Sequence, residues 1–93
     1  MTWKPCSTKS AIKFEGFVRG IRYQIHKYKY DDYWIVFEED QGPVGVDFYT
    51  VGRDVSYPTF EDAELAIKTG LYDKQKIALG FIEWLFAWKE ISV

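Results

Sequence analysis

The sequence predicts an α+β fold: a three- or four-stranded antiparallel β-meander followed by two C-terminal helices packed on one face of the sheet. Three observations predict it. Apolar and polar residues alternate with a period of two through much of the stretch from residue 11 to residue 49, interrupted at Gly20, at 28–32 and at Asp40-Gln41-Gly42-Pro43, the pattern of strands joined by turns. From Thr59 onward the period becomes helical, in two blocks divided by Gly70. Strands collected before helices, rather than alternating with them, place the two kinds of element in separate layers.

At 93 residues the chain has the size of one small domain, 1–93. Aromatic residues make up 19% of it, and large rings supply much buried apolar area in a core this small. Residues 1–10 carry a Pro and no periodicity and read as an N-terminal arm, with Trp3 available to tuck against the body. Residues 11–18 form a short first strand, with Ile12 and Phe14 on one face, ending near Gly16; Gly20 marks a bend.

In the second strand Ile21, Tyr23 and Ile25 face one way and Arg22, Gln24 and His26 the other. The third run separates Tyr33, Ile35 and Phe37 from Trp34, Val36 and Glu38. Matching apolar faces predicts Ile25 opposite Ile35, Tyr23 opposite Phe37 and Arg22 opposite Glu38, leaving Tyr28 to Asp32 as a five-residue loop. After the turn at 40–43, Val44, Val46 and Phe48 alternate with Gly45, Asp47 and Tyr49. Pairing Phe37 with Val46 and Ile35 with Phe48 sets Trp34 against Tyr49 and Val36 against Asp47 on the other face.

Thr59 is an N-cap, with Glu61 and Asp62 at the positive end of the helix dipole. Phe60, Ala63, Ala66 and Ile67 make the apolar stripe, and Gly70 closes the helix with Leu71 packed back on its last turn. Asp73 then caps a second helix running to about Glu90, in which Ile77, Phe81, Trp84, Leu85 and Trp88 recur at helical spacing.

The lone cysteine, Cys6, rules out an intramolecular disulfide and reads as a free thiol in a reducing, cytoplasmic setting. No apolar run has the length of a membrane span or a signal peptide. Net charge is −2, unevenly spread: residues 1–30 carry seven bases against Glu15, whereas residues 31–66 carry ten acids against Arg53.

No spacing amounts to a catalytic, metal or nucleotide motif, so the chain is expected to be no enzyme and to need no cofactor or metal. His26 lacks a matching nucleophile and an oxyanion loop, and one His with scattered carboxylates lacks zinc spacing. The acidic groups at 31–32, 38–40 and 61–64 read as solvation, turn and cap chemistry.

The outward sheet face is aromatic: Trp34 and Tyr49, rimmed by Arg22, His26, Asp47 and Glu38. Such a centre and rim resemble a protein interface; otherwise that face lies under the second helix or the arm. Tyr28 and Tyr30 in the hairpin loop join the candidate protein-binding residues. The first functional expectation is a protein-binding module, an inhibitor or adaptor of the kind phages and mobile elements carry, which occupies the surface of a protein partner. The second is a homo-oligomer completed across the Ile77–Trp88 helix. The third is a single-stranded nucleic-acid binder using Arg19–Tyr30, where Arg19, Arg22, Lys27 and Lys29 interleave with Tyr23, Tyr28 and Tyr30.

Overall fold

The computed structural model describes residues 3–40 and 47–80. Strands β1 (Lys4–Pro5), β2 (Ala11–Val18), β3 (Ile21–Tyr28), β4 (Trp34–Asp40) and β5 (Asp47–Tyr49) lie side by side in chain order in one antiparallel sheet. Strand β6 (Ser56–Tyr57) pairs with Trp34 and Ile35, while β5 pairs with 38–40 of the same strand. Helix α1 (Phe60–Thr69) follows, and residues 71–80 are helical as well (α2). The chain is therefore α+β, with a four-stranded meander at its centre and two-residue strands added at both margins.

The arm is more ordered than its composition implies. Lys4 and Pro5 pair with Glu15 and Phe14, Cys6 N donates to Lys13 O at 2.8 Å, and Trp3 folds onto the sheet. Gly16 lies inside β2 rather than at its end, and a Cβ there would meet the Trp3 ring at 2.8 Å. The bend at Gly20 is a two-residue hairpin turn. Val18 pairs with Ile21, and Arg19 and Gly20 both take positive φ, 51° and 78°. Two left-handed residues give the turn the twist that adjoining strands need.

Register corrects the assignment of faces. Tyr23 lies opposite Glu38, Gln24 opposite Phe37, Ile25 opposite Val36 and His26 opposite Ile35, one residue away from the pairing expected. A slip of one exchanges the faces of a strand. Trp34, Val36 and Glu38 thus join Phe14, Tyr23 and Ile25 on the helix side, while Ile35 and Phe37 join His26 and Gln24 on the other. The β4–β5 pairing is displaced too: Glu38 meets Tyr49, Glu39 meets Phe48 and Asp40 meets Asp47. The expected turn at 41–43 and the residues Val44 to Val46 lie outside the described residues.

Thr59 caps α1 by accepting from Asp62 N at 3.1 Å, and Gly70 closes it in the left-handed conformation, its N–H donating to Ile67 O. Helix α2 begins at residue 71, directly after Gly70, so Asp73 stands in its first turn instead of capping it. Leu71 is exposed rather than packed back. The core joins Val18, Tyr23, Ile25 and Val36 of the sheet to Ala63, Ala66 and Ile67 of α1 and to Tyr72 of α2, with Leu79 at its margin. Both helices thus pack on one sheet face. Of the expected Ile77–Trp88 helix, residues 81–88 lie outside the described residues.

Candidate functional site

The seven candidate residues do not form one site. Arg22, His26 and Tyr28 share the face that no described helix covers (the helix-free face), Trp34 and Tyr49 lie on the helix-covered face, and Tyr30 stands in the turn after β3. Asp47 is opposite Asp40 in the register, at the parity of Tyr49.

Trp34 belongs to an aromatic cluster with Phe60 at 5.7 Å and Phe14 at 6.4 Å between ring centroids. Trp3 completes the cluster at 5.7 Å from Phe60, and its indole Nε1 donates to Glu64 Oε2. Trp34 is partly buried against the core, and its expected outward position is corrected by the register.

Tyr49 is half-exposed at the ring, yet its hydroxyl donates to Glu38 Oε2 at 2.5 Å. The same carboxylate oxygen accepts from Lys76 Nζ of α2 at 2.6 Å, and Oε1 accepts from Tyr23 at 3.3 Å. Glu38 is only 6% exposed, so this is a buried carboxylate, not an interface rim. Burial pushes its pKa up, but the hydrogen bonds from Lys76, Tyr49 and Tyr23 outweigh burial and hold it below 4.5. For Lys76 the same pairing overrides desolvation and raises the ammonium pKa. The Nζ also sits 5.4 Å from the Tyr72 ring and 5.7 Å from that of Tyr49. The cluster fastens α2 to the sheet.

The helix-free face has a different character. Lys13, Glu15 and Phe17 of β2, Arg22, Gln24, His26 and Tyr28 of β3, and Ile35 and Phe37 of β4 share it. Phe17 is 53% exposed and carries the Arg22 guanidinium 5.0 Å above its ring. Among the described residues, Arg22 Nε is buried and has no acceptor. His26 is 4% exposed, stacked on Phe37 with centroids 4.0 Å apart. Its Nε2 lies 2.8 Å from Gln24 Oε1, and Gln24 Nε2 donates to Glu15 at 2.8 Å. This orientation assigns the ring proton to Nε2, leaving Nδ1 to accept from Tyr28 Oη at 3.4 Å. Burial, aided by Lys13, lowers the imidazole pKa from 6.5 to about 4, so His26 is a neutral bridge at pH 7.

Tyr28 and Tyr30 instead come together with the arm. A pocket of about 290 Å³ is lined by residues 8–12 and 27–29, the apolar Ala11 and Ile12 among them, and an adjoining one of about 280 Å³ by Ser10, Tyr28, Lys29, Tyr30 and Asp31.

Burial, then Glu15, raises the Cys6 thiol pKa, which keeps the sulfur protonated and poorly nucleophilic at pH 7. Among the described residues, no group of three or more His, Cys, Asp or Glu is arranged to hold a metal ion. No helix among them is long and apolar enough to cross a membrane.

Sequence reasoning missed Phe17, Gln24 and Phe37 on the open face and Lys9 beside the hairpin loop. Phe17 was recoverable, because Ile12 and Phe14 set the inner parity of β2 and leave position 17 outside. Lys9 carried no signal, since its approach depends on Lys29 N donating to Ser10 O. Comparison of the chain with protein-family models, with curated proteins and with solved structures finds no match in any of the three.

Proposed function

We propose that the chain is a non-enzymatic protein-binding module, an inhibitor or adaptor that acts by covering part of a partner's surface with its helix-free sheet face. One observation carries this reading: Phe17 is 53% exposed beneath an arginine whose buried Nε has no acceptor among the described residues. A buried unmatched donor on a charged group is costly, and an acceptor from a partner removes that cost. Arginine over an exposed ring is also the residue chemistry of binding hot spots. Affinity capture with the full chain tests the reading. Phe17→Ala and Arg22→Ala each lose a partner that wild type and Leu65→Ala, altered on the helical side, both retain. Retention of every partner by both open-face variants overturns it.

A second reading, self-association through the helices, is favoured by Leu65, Leu71 and Ile77, which are 59%, 46% and 68% exposed. Leu65 and Leu71 line a groove of about 330 Å³ between α1, α2 and β6. Sedimentation velocity decides it: a concentration-dependent dimer weakened by Leu65→Glu supports the reading, and a monomer at high concentration removes it.

A further inference from the structure

The end of the sheet remote from Arg22 carries a second surface. Strand β3 runs from Ile21 to Tyr28, so Tyr28 lies about 20 Å along the strand from Arg22 at ~3.3 Å per residue. The two pockets there share Ser10, Tyr28 and Lys29 and form one trough. Its wall is fixed by backbone bonds: Lys29 N donates to Ser10 O at 3.0 Å, Thr8 N to Ala11 O at 3.0 Å and Asp31 N to Tyr28 O at 3.1 Å. Lys9, Lys27 and Lys29 line it against the single acid Asp31. None of these lysines forms an ion pair among the described residues.

Tyr30 is 88% exposed, with Lys29 Nζ 5.5 Å from its ring centroid. A ring this bare contributes nothing to the core. Together these groups offer what single-stranded nucleic acid requires: cations that track phosphates, a Thr8–Ser10 hydroxyl pair, 3.2 Å apart, with one proton left to donate to a phosphate oxygen, and a bare ring on which an unpaired base stacks. A duplex keeps its bases stacked on one another and leaves Tyr30 without a role.

We infer that the Lys9, Lys27 and Lys29 trough with Tyr28 and Tyr30 binds single-stranded nucleic acid. The bases stack on Tyr30 and the backbone follows the lysines. Overall acidity opposes long-range attraction, so contact depends on local cations and is modest in strength.

Fluorescence anisotropy with labelled oligo-dT and oligo-rU about 20 nucleotides long tests the inference on the full chain. Saturable binding at about 50 mM salt is expected, with a log–log salt slope near −2 from three lysine contacts at ~0.7 each. Tyr30→Ala weakens it at least about fivefold by loss of stacking, and the double variant Lys27→Ala/Lys29→Ala removes about 1.4 from the slope. Tyr30 and Lys29 are exposed, and an unchanged circular dichroism spectrum certifies each variant's fold. Absence of saturable binding, a duplex bound as tightly as the single strand, or indifference to Tyr30→Ala overturns the inference. Phe17→Ala retains oligonucleotide binding, so failure here is separate from failure of the protein-binding reading.

Discussion

The two faces of the sheet each bury an ionisable side chain, and they do so in opposite ways. Glu38, under the helices, keeps its charge because Lys76, Tyr49 and Tyr23 all donate to it. His26, on the face that no described helix covers, gives up its charge because burial disfavours the imidazolium and Lys13 repels a proton. A buried group surrounded by committed partners belongs to the architecture. Among the described residues two buried side-chain groups lack a hydrogen-bond partner, the Tyr72 hydroxyl in the core and Arg22 Nε on the other face, and of the two it is Arg22 that lies over an exposed ring, Phe17.

The largest effect expected on the covered face follows from Ile25, which is fully buried. Ile25→Ala costs about 2–5 kcal/mol in urea unfolding through lost burial and the cavity left behind. Next comes Lys76→Met, which strands the Glu38 carboxylate without its cation. Lys76 retains 23% side-chain exposure, so about 3 kcal/mol is expected, at the lower end for a broken buried pair. A loss below about 0.5 kcal/mol would show that the tyrosines alone hold the charge.

Acid titration contrasts the faces directly. The His26 pKa is lowered from 6.5 to about 4, so as pH falls from 7 the unfolded chain takes up a proton that the folded chain refuses. Stability therefore declines between about pH 6.5 and 4, by about 3 kcal/mol. Glu38, whose pKa is held below 4.5, contributes stability above that value that disappears as pH falls through its folded pKa. His26→Gln should flatten the upper window and leave the lower one; Glu38→Gln should do the reverse. Unfolding curves recorded from pH 7 to 3 measure both. The smallest effect is expected for Phe17→Ala, at under about 1 kcal/mol, because its ring is half in solvent.

What was legible in the residues was local chemistry. Thr59 and Gly70 announced the limits of α1, and the hydrophobic periods separated the sheet from the helices. The faces of β4 were not legible. Tyr33, Ile35 and Phe37 on one side balance Trp34 and Val36 on the other, and the acid at 38 shares the second set. That charge is reconciled with burial by a lysine 38 positions later, which no window of alternation contains. The site was divided for the same reason, since one residue of slip carries Trp34 away from His26. Arg22 kept its face because the parity of β3, with Ile21, Tyr23 and Ile25 together, admits one reading.

The two hairpin tips differ in what they permit. At the Arg19-Gly20 tip, the Arg19 guanidinium donates to Ile67 O and Lys68 O at 2.9 Å each and lies 3.9 Å from Asp73. One side chain thus ties the β2–β3 turn to the end of α1 and the start of α2, complementing the negative end of the α1 dipole. Lengthening that tip would move the tether away from the corner where the helices meet. The loop at 29–33 has no such attachment to the helices among the described contacts. A fused domain or an added loop is therefore accommodated at Tyr30, at the expense of the trough, and is rejected at Gly20.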